Sequence, residues 1–276
     1  MQGEIRMKRI SGLNEHAYRT LLLLAISLFP AGVIAGWSAP GEDFSGELVV
    51  GGQVTDIRNP WRWKMAGAES EMNLSASVQN RRGAGHVWTG LLDGRSLLLG
   101  KTEGVVMTGR DGLAPEVTFG SGSEGFELSW QGSGEAEVML PVYDSLSPAG
   151  PVGQFTFRLV AAAMLSYVSH EQTVYRALYN DGTGNGLPAR AMAVPAESTG
   201  ELLCSMFAGE GPEWLCRTGR LVTGSEPLSR LADTGITRPE GVFGVRMVSG
   251  SGVLRTDGDS PPPRWKATLP VRIEYR

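Results

Sequence analysis

The chain has 276 residues, a formal net charge of −4 and 41% hydrophobic residues, with 38 glycines and two cysteines. This mildly acidic balance, without a cluster of basic residues, argues against nucleic acid as a partner. The length suits one large domain, or one domain with an insertion, once a leader is removed.

The first 35 residues have the pattern of an export signal. Basic residues from Arg6 to Arg19 precede an apolar run at 21–29, and residues 33–35 are small or compact where a signal peptidase reads. Because this apolar stretch is shorter than the roughly 20 residues that cross a bilayer, a cleaved signal is favoured over a membrane anchor. Met7 is an alternative start.

The segment that follows, residues 36–54, contains a strand with the period of a half-buried sheet. It could be the first strand of the chain's own domain or a strand donated to a partner, and spacing alone does not separate these. Full burial of its four apolar side chains would contribute roughly 6–12 kcal/mol before ordering costs. One face of this strand consists of Phe44, Gly46, Leu48, Val50, Gly52 and Val54.

The rest of the chain is rich in short strands and turns. Runs of alternating or β-branched residues recur between glycine-rich clusters, and long helical periodicity is scarce. This spacing predicts an all-β sandwich. The predicted strands cover residues 61–65, 96–99, 116–119, 126–130, 136–142, 155–160, 244–248 and 269–276.

Residues 168–238 interrupt this rhythm and hold both cysteines, Cys204 and Cys216. We interpret them as an insertion at one end of the sandwich, with short helices near 200–207 and 228–233. In an exported chain the two cysteines most simply form one disulfide, the alternative being two buried thiols. Such a bond would stabilise the native state by roughly 3 kcal/mol, enough to hold a local loop in place.

No set of residues typical of catalysis stands out. His86 and His170 lack the spacing of a metal site, and the sequence has no G-x-S-x-G. Residues 120–125 spell G-x-G-x-x-G, but residues 126–130 then alternate like a strand, which favours a hairpin loop over a phosphate-binding turn. We therefore expect no enzyme activity and no cofactor.

One segment of the insertion resembles the start of a calcium-binding loop. Asp181, Thr183 and Asn185 alternate before Gly186 as ligands would, but Met192 stands where a bidentate glutamate should close the site. A turn stabilised by Asp and Asn side chains is the favoured interpretation, with a weak calcium site as the alternative. No metal is assigned.

Trp214 is a candidate contact for a glycan. It lies two residues before Cys216, inside the expected disulfide loop, whereas the tryptophans of the sandwich lie in or beside predicted strands. Because flat sugar faces stack on aromatic rings, a tryptophan on a pinned loop could bind one.

The chain ends on a strand that needs a cover. Leu269, Val271, Ile273 and Tyr275 share one face, and the residues between them are polar, charged or proline. One interpretation of Tyr275 is that its ring only covers the rim of the sandwich.

Several segments, in order along the chain, carry a family resemblance. They are residues 44–52 (FSGELVVGG), 61–64 (WRWK), 97–102 (LLLGKT), 111–115 (DGLAP) and 265–275 (WKATLPVRIEY). As a set, they resemble subunits of kappa-class chaperone-usher fimbriae, and most closely the minor subunits of Fae-type (K88-like) fimbriae.

This resemblance implies an incomplete immunoglobulin-like sandwich that lacks its final strand. A periplasmic chaperone would fill the groove beside the C-terminal strand, and at the outer-membrane usher the extension of the next subunit would replace the chaperone strand. The resemblance favours residues 36–54 as such a donor strand and 55–276 as the acceptor domain. Tyr275 matches the aromatic position that these subunits present to the chaperone, and Arg276 departs from the pattern.

The function implied is that of a structural, minor subunit of a bacterial surface fimbria that contributes to fimbria biogenesis and cell adhesion. It would be exported through the periplasm. Its partners would be the chaperone, the usher and neighbouring subunits. The alternative is a carbohydrate-binding adhesin that recognises host glycans and uses Trp214 as a contact.

Overall fold

A computed structural model describes residues 59–65, 74, 80–82, 85–104, 106–147, 150–217, 221–258 and 260–276. These residues belong to one compact unit, Asp56–Arg276. Within these ranges no helix is long and apolar enough to cross a membrane. The expected signal peptide and donor strand, including Phe44, Gly46, Leu48, Val50, Gly52 and Val54, lie outside the described residues.

Strands make up most of the described chain. The strands are β1 (Trp61–Met65), β2 (Asn80–Arg82), β3 (Gly85–Leu91), β4 (Ser96–Thr102), β5 (Pro115–Phe119), β6 (Glu127–Gly132), β7 (Glu135–Asp144), β8 (Pro151–Ser169), β9 (Gln172–Tyr179), β10 (Val222–Pro227), β11 (Thr237–Met247), β12 (Gly252–Thr256), β13 (Trp265–Ala267) and β14 (Val271–Tyr275). An α-helix, α1 (Ala196–Phe207), and two short 3₁₀ helices, Arg190–Met192 and Leu228–Ala232, complete the set.

The strands form two sheets of unequal size. The larger sheet runs in the order β1-β4-β11-β8-β12-β3-β2, with β7 and β9 also pairing with β8. Strands β6 and β13 pair with β7, and β10 runs parallel to β9. The smaller sheet is the antiparallel pair of β5 and β14. The all-β sandwich predicted from the sequence is confirmed.

Strand β8 pairs with different strands along its length. Its first part pairs with β7 and its last part with β9. Residues 153–159 alternate between buried and more exposed side chains, whereas residues 161–167 are all buried. A strand is continuously buried where both of its faces are covered. The last part of β8 therefore lies between two apolar layers.

The inner layer is the core between the two sheets. Its largest fully buried side chains come from strands of both sheets, from the turn before β5 and from residues 231–236 before β11. Apolar residues of β14 pack against the same core without being fully buried. The core includes Leu98, Leu113, Phe119, Leu159, Leu165, Phe243 and Leu254.

The outer layer is α1, which packs on the opposite face of the larger sheet. Leu203 and Met206, three residues apart on one helix face, form an apolar cluster with Met164 of β8 and Val242 of β11. Gly244 of β11 allows the close approach, because an added Cβ would lie 2.7 Å from the Met206 sulfur. A helix exists near the predicted position 200–207, and it packs on a face of the larger sheet.

The glycine-rich segment at 120–125 is a connection between strands that do not pair with each other. Strand β5 pairs with β14, and β6 pairs with β7. Gly120, Gly122 and Gly125 have φ values of 72°, 74° and 76°, which glycine adopts without strain. The expected hairpin is wrong, although a strand rather than a helix does follow the motif.

Candidate functional site

The C-terminal strand has one apolar face and one charged face. Val271, Ile273 and Tyr275 are half-buried and pack against the core, while Arg272 and Glu274 are exposed. The alternation expected from the sequence is therefore observed. Leu269, just before the strand, is also half-buried against the core.

One edge of β14 pairs with β5, and no described strand pairs with the opposite edge. Arg276 and Ala114 exchange both backbone hydrogen bonds, and the Gly120 amide donates to the Pro270 carbonyl at 2.9 Å. Because bonded pairs alternate along an antiparallel ladder, the N–H and C=O groups of residues 271, 273 and 275 point away from β5. Within the described residues these six groups have no backbone partner. We call this side of β14 the open edge.

Two tryptophans of β1 connect the open-edge strand to the larger sheet. The Trp63 indole N–H donates to the Tyr275 hydroxyl at 2.8 Å, and the Trp61 indole N–H donates to the Leu113 carbonyl at 2.7 Å. The two indoles are stacked, with ring centroids 5.2 Å apart. Trp63 lies over Gly100, where an added Cβ would come within 2.3 Å of the indole. The ring of Tyr275 is thus held at the junction of the two sheets.

Strand β1 is itself an edge strand of the larger sheet. It pairs with β4, and Glu103 donates its amide to the Pro60 carbonyl at 2.8 Å. By the same alternation, the backbone of Trp63 faces away from β4. The Trp63–Tyr275 bond therefore joins two strands, each with an edge that no other described strand occupies.

The side chain of the last residue is bound to the protein itself. The Arg276 guanidinium forms an ion pair with Glu116 of β5, whose carboxylate is largely buried. It also donates to the Thr183 hydroxyl at 2.6 Å, and that hydroxyl donates to Glu116. A second pair, Arg272 with Glu274, lies on the same exposed face at 2.7 Å. The charges of the C-terminal strand are therefore balanced locally.

The segment that resembled a calcium loop packs against β5. The Asn185 side chain accepts a hydrogen bond from the Phe119 amide at 2.6 Å and donates to the Phe119 carbonyl at 3.0 Å. Asp181 accepts from the Ser229 amide at 3.1 Å. The side chain that stabilises the turn is that of Asn180, which accepts from the Gly182 amide at 2.9 Å and donates to the Gly184 carbonyl, whereas Asn185 and Asp181 bind residues outside the turn. In the described ranges no group of three or more His, Cys, Asp or Glu residues is placed to hold a metal.

Cys204 and Cys216 form a disulfide, as expected, with their Cα atoms 5.0 Å apart. The bond joins α1 to the segment that carries Trp214. The Trp214 indole N–H donates to Glu240 at 2.5 Å, and its ring centroid lies 5.7 Å from that of Tyr175. The disulfide therefore holds Trp214 near β9 and β11.

A cavity of about 360 Å³ opens beside Trp214. Burial, followed by its hydrogen bond to Glu226, raises the pKa of the Tyr167 hydroxyl in its wall. Its lining residues include Ser166, Tyr167, Thr173, Tyr175, Trp214, Arg238 and Glu240.

Sequence reasoning missed several residues of the site. The sequence predicts strands that contain Trp61, Trp63 and Glu116. It does not predict which residues these side chains contact. Asn185 was considered for a metal and not for a strand edge. The spacing of the Asn and Gly residues around 180–186 was the available signal, because such residues often satisfy nearby backbone groups.

Comparisons with known proteins show the family of this chain. Residues 18–276 match the K88 fimbrial family, described as fimbrial major and minor subunits. The chain is also 41% identical over 260 residues to the K88 minor fimbrial subunit FaeI of Escherichia coli, an alignment that covers 93% of this chain and 98% of that protein. The resemblance seen in the sequence is confirmed. The chain belongs to the K88 family of fimbrial major and minor subunits and is a structural subunit of a fimbria.

Proposed function

We propose that this subunit is a minor component of its fimbria and is assembled by strand addition at the open edge of β14. The observation that carries the proposal is a row of six backbone groups that lack a backbone partner among the described residues and lie beside half-buried apolar side chains. An edge of this kind is a template for a further strand and a hazard if it stays uncovered.

The occupant that fits is an extended strand with apolar residues at every second position. Its backbone would pair with residues 271, 273 and 275, and its apolar face would cover Val271, Ile273 and Tyr275. Because Arg272 and Arg276 are already paired with carboxylates, the occupant needs no charge of its own. Residues 36–54 have this pattern and would serve as the donor to a neighbouring subunit.

The order of partners is the one that the family resemblance implies, and it keeps the edge covered at each stage. A periplasmic chaperone would occupy the edge first, and at the outer-membrane usher a neighbouring subunit's extension would replace it. The subunit would then reach the cell surface in the fimbria. Its chemistry in this proposal is association, without catalysis.

Paired substitutions on adjacent positions of β14 test the proposal. The full chain is co-expressed in the periplasm with a kappa-class fimbrial chaperone, and the captured fraction is measured. We expect Ile273→Asp to reduce capture at least tenfold, because it places a charge on the face to be covered, and Arg272→Asp to change it less than twofold.

Amide hydrogen exchange in the chaperone complex provides a measurement without substitution. The amides of Val271, Ile273 and Tyr275 should become protected in the complex. If these three amides exchange as freely in the complex as in an unpaired strand, the open edge is not the site of strand addition.

A second candidate function is glycan binding in the cavity beside Trp214. The cavity combines aromatic rings with hydroxyl, Arg and Glu groups, a mixture suited to a sugar. A glycan array with the full chain in its chaperone complex tests this idea. Trp214→Ala should remove the signal and Glu213→Ala, at an exposed neighbour, should retain it. Absence of any signal from the native complex would end this candidate.

A further inference from the structure

The small sheet has two edges, and they differ in what covers them. We propose that residues 183–186 of the insertion are a built-in edge cap that closes the β5 edge, so that, of the two edges of the small sheet, the β14 edge is the one that accepts a donor strand. This inference rests on the proposed function, because it specifies which edge the partner takes. It also gives a role to the segment that failed as a calcium loop.

The β5 edge would otherwise attract a strand as β14 does. The residues of β5 whose backbone points away from β14 are Pro115, Val117 and Phe119. Proline has no N–H, so this edge has two N–H and three C=O groups. Three of these five groups are occupied: both groups of Phe119 by Asn185, and the Val117 carbonyl by the Gly186 amide at 2.9 Å.

Asn185 occupies the edge in the manner of a neighbouring strand. Its side-chain amide accepts from the N–H and donates to the C=O of one residue, Phe119. A residue of an added antiparallel strand would exchange this same pair of bonds. While Asn185 holds both groups, a strand cannot bind there.

The cap also requires close contact with β5. An added Cβ at Gly184 would lie 2.6 Å from the Val117 carbonyl oxygen, and one at Gly186 would lie 2.6 Å from the Val117 Cβ. A side chain at either position would push the segment away from the strand. Both glycines therefore allow the cap to reach the backbone groups that it covers.

Arg276 connects the cap to the open-edge strand. Its guanidinium extends from the end of β14 to Glu116 of β5 and to Thr183 of the cap. The cap, β5 and β14 are thus joined through one side chain. The consequence is a ribbon with one closed and one open edge, which accepts one donor strand and adds to a fimbria without branching.

The test uses the full chain captured by a kappa-class chaperone, with three variants. Asn185→Ala removes both bonds to Phe119, and Asn185→Asp keeps the acceptor while losing the donor. Asp181→Ala is the matched control, because Asp181 lies in the same segment but bonds to Ser229 and not to β5. The mass of each complex and the exchange rates of the Phe119, Val271, Ile273 and Tyr275 amides are measured.

We expect the native chain and Asp181→Ala to form a 1:1 complex with a protected Phe119 amide. In Asn185→Ala the Phe119 amide should exchange at least tenfold faster, and species larger than 1:1 should form through the β5 edge. Asn185→Asp should lie between these results, and it preserves the test if the alanine variant does not fold.

Two results would overturn the cap. One is a Phe119 amide in the native complex that exchanges as fast as in Asn185→Ala. The other is an Asn185→Ala complex that stays strictly 1:1 although its Phe119 amide is exposed. Failure of the proposed function looks different, because the amides of residues 271, 273 and 275 would then remain unprotected whatever happens at Phe119.

Discussion

Two apolar surfaces of this subunit differ in how they are covered. The outer face of the larger sheet lies beneath α1, where Met164, Leu203 and Leu215 are fully buried. At the open edge, Val271, Ile273 and Tyr275 stay half-buried, and within the described residues no strand pairs with their backbone. The first surface is covered by described segments of the same chain, whereas no described strand pairs with the second.

The insertion adds many residues to the domain, and its described elements lie on surfaces other than the open edge. The insertion supplies a helix, a disulfide and two further strands, β9 and β10, and it also supplies the cap on β5. All of these cover surfaces other than the β14 edge. An apolar strand edge that no described strand pairs with, beside a sheet face that the insertion covers, is consistent with an edge reserved for a partner.

The largest expected effect comes from breaking the covered surface. Leu203→Ala should lower the free energy of unfolding by about 2–5 kcal/mol, because it leaves a cavity beneath α1. Ser205→Ala, on the exposed side of the same helix, should change it by less than about 0.5 kcal/mol. Urea denaturation of the chaperone-released chain measures both. Equal effects would mean that α1 is not a packed layer.

Removal of the disulfide should have a smaller effect on the same surface. The double substitution Cys204→Ser with Cys216→Ser should cost about 3 kcal/mol, because the unfolded chain gains freedom when the loop is no longer closed. Native protein in reductant provides the matched sample in the same denaturation assay. Capture by the chaperone should persist, since the open edge is formed by other residues. Loss of capture would show that the two surfaces are coupled.

Tyr275→Phe sharpens the description of the open edge. It removes the acceptor of the Trp63 indole N–H but keeps the ring, so we expect a loss of about 1 kcal/mol in unfolding free energy. Trp63→Phe in the Tyr275→Phe background should add little through this bond, and the double-mutant cycle gives the coupling energy. A coupling near zero would mean that the two edge strands are not joined by this bond.

The smallest effect concerns the hydrogen bond between Tyr167 of β8 and Glu226 of β10, and it depends on pH. Burial and the hydrogen bond to Glu226 raise the pKa of Tyr167. Its contribution to stability is therefore complete below the unfolded pKa, about 10, and is lost as pH rises through the raised folded value. Tyr167→Phe should flatten the decline of the denaturation midpoint above pH 10. An identical decline in both proteins would contradict this assignment.

The fold class was predictable because local patterns carried it. Strand β1 lies where the alternating run predicted it, and β4, β5, β6, β7 and β11 overlap their predicted strands. The predicted set did not include β2, β3, β9, β10, β12 and β13. The insertion was recognised by its broken rhythm, but β9 within it was not, because sequence period says little where a strand lacks a clean one-sided burial pattern.

The candidate site was predictable in part. The alternation of Val271, Ile273 and Tyr275 follows from the sequence alone, since side chains of a strand point to opposite faces by covalent geometry. The pairing of Cys204 with Cys216 followed because two cysteines in an exported chain have one simple arrangement. Which edge of β14 stays open could not be deduced, because it depends on the register of β14 against β5.

By itself, then, the sequence determined the all-β class with many of its strands, the apolar face of the C-terminal strand and the family. The tertiary structure decided what those elements meet. It brought Trp63 to Tyr275 across 212 positions of sequence and Asn185 to Phe119 across 66. Local periodicity reports which face of an element is apolar, whereas the partner of a backbone edge is set by contacts between segments far apart in the chain.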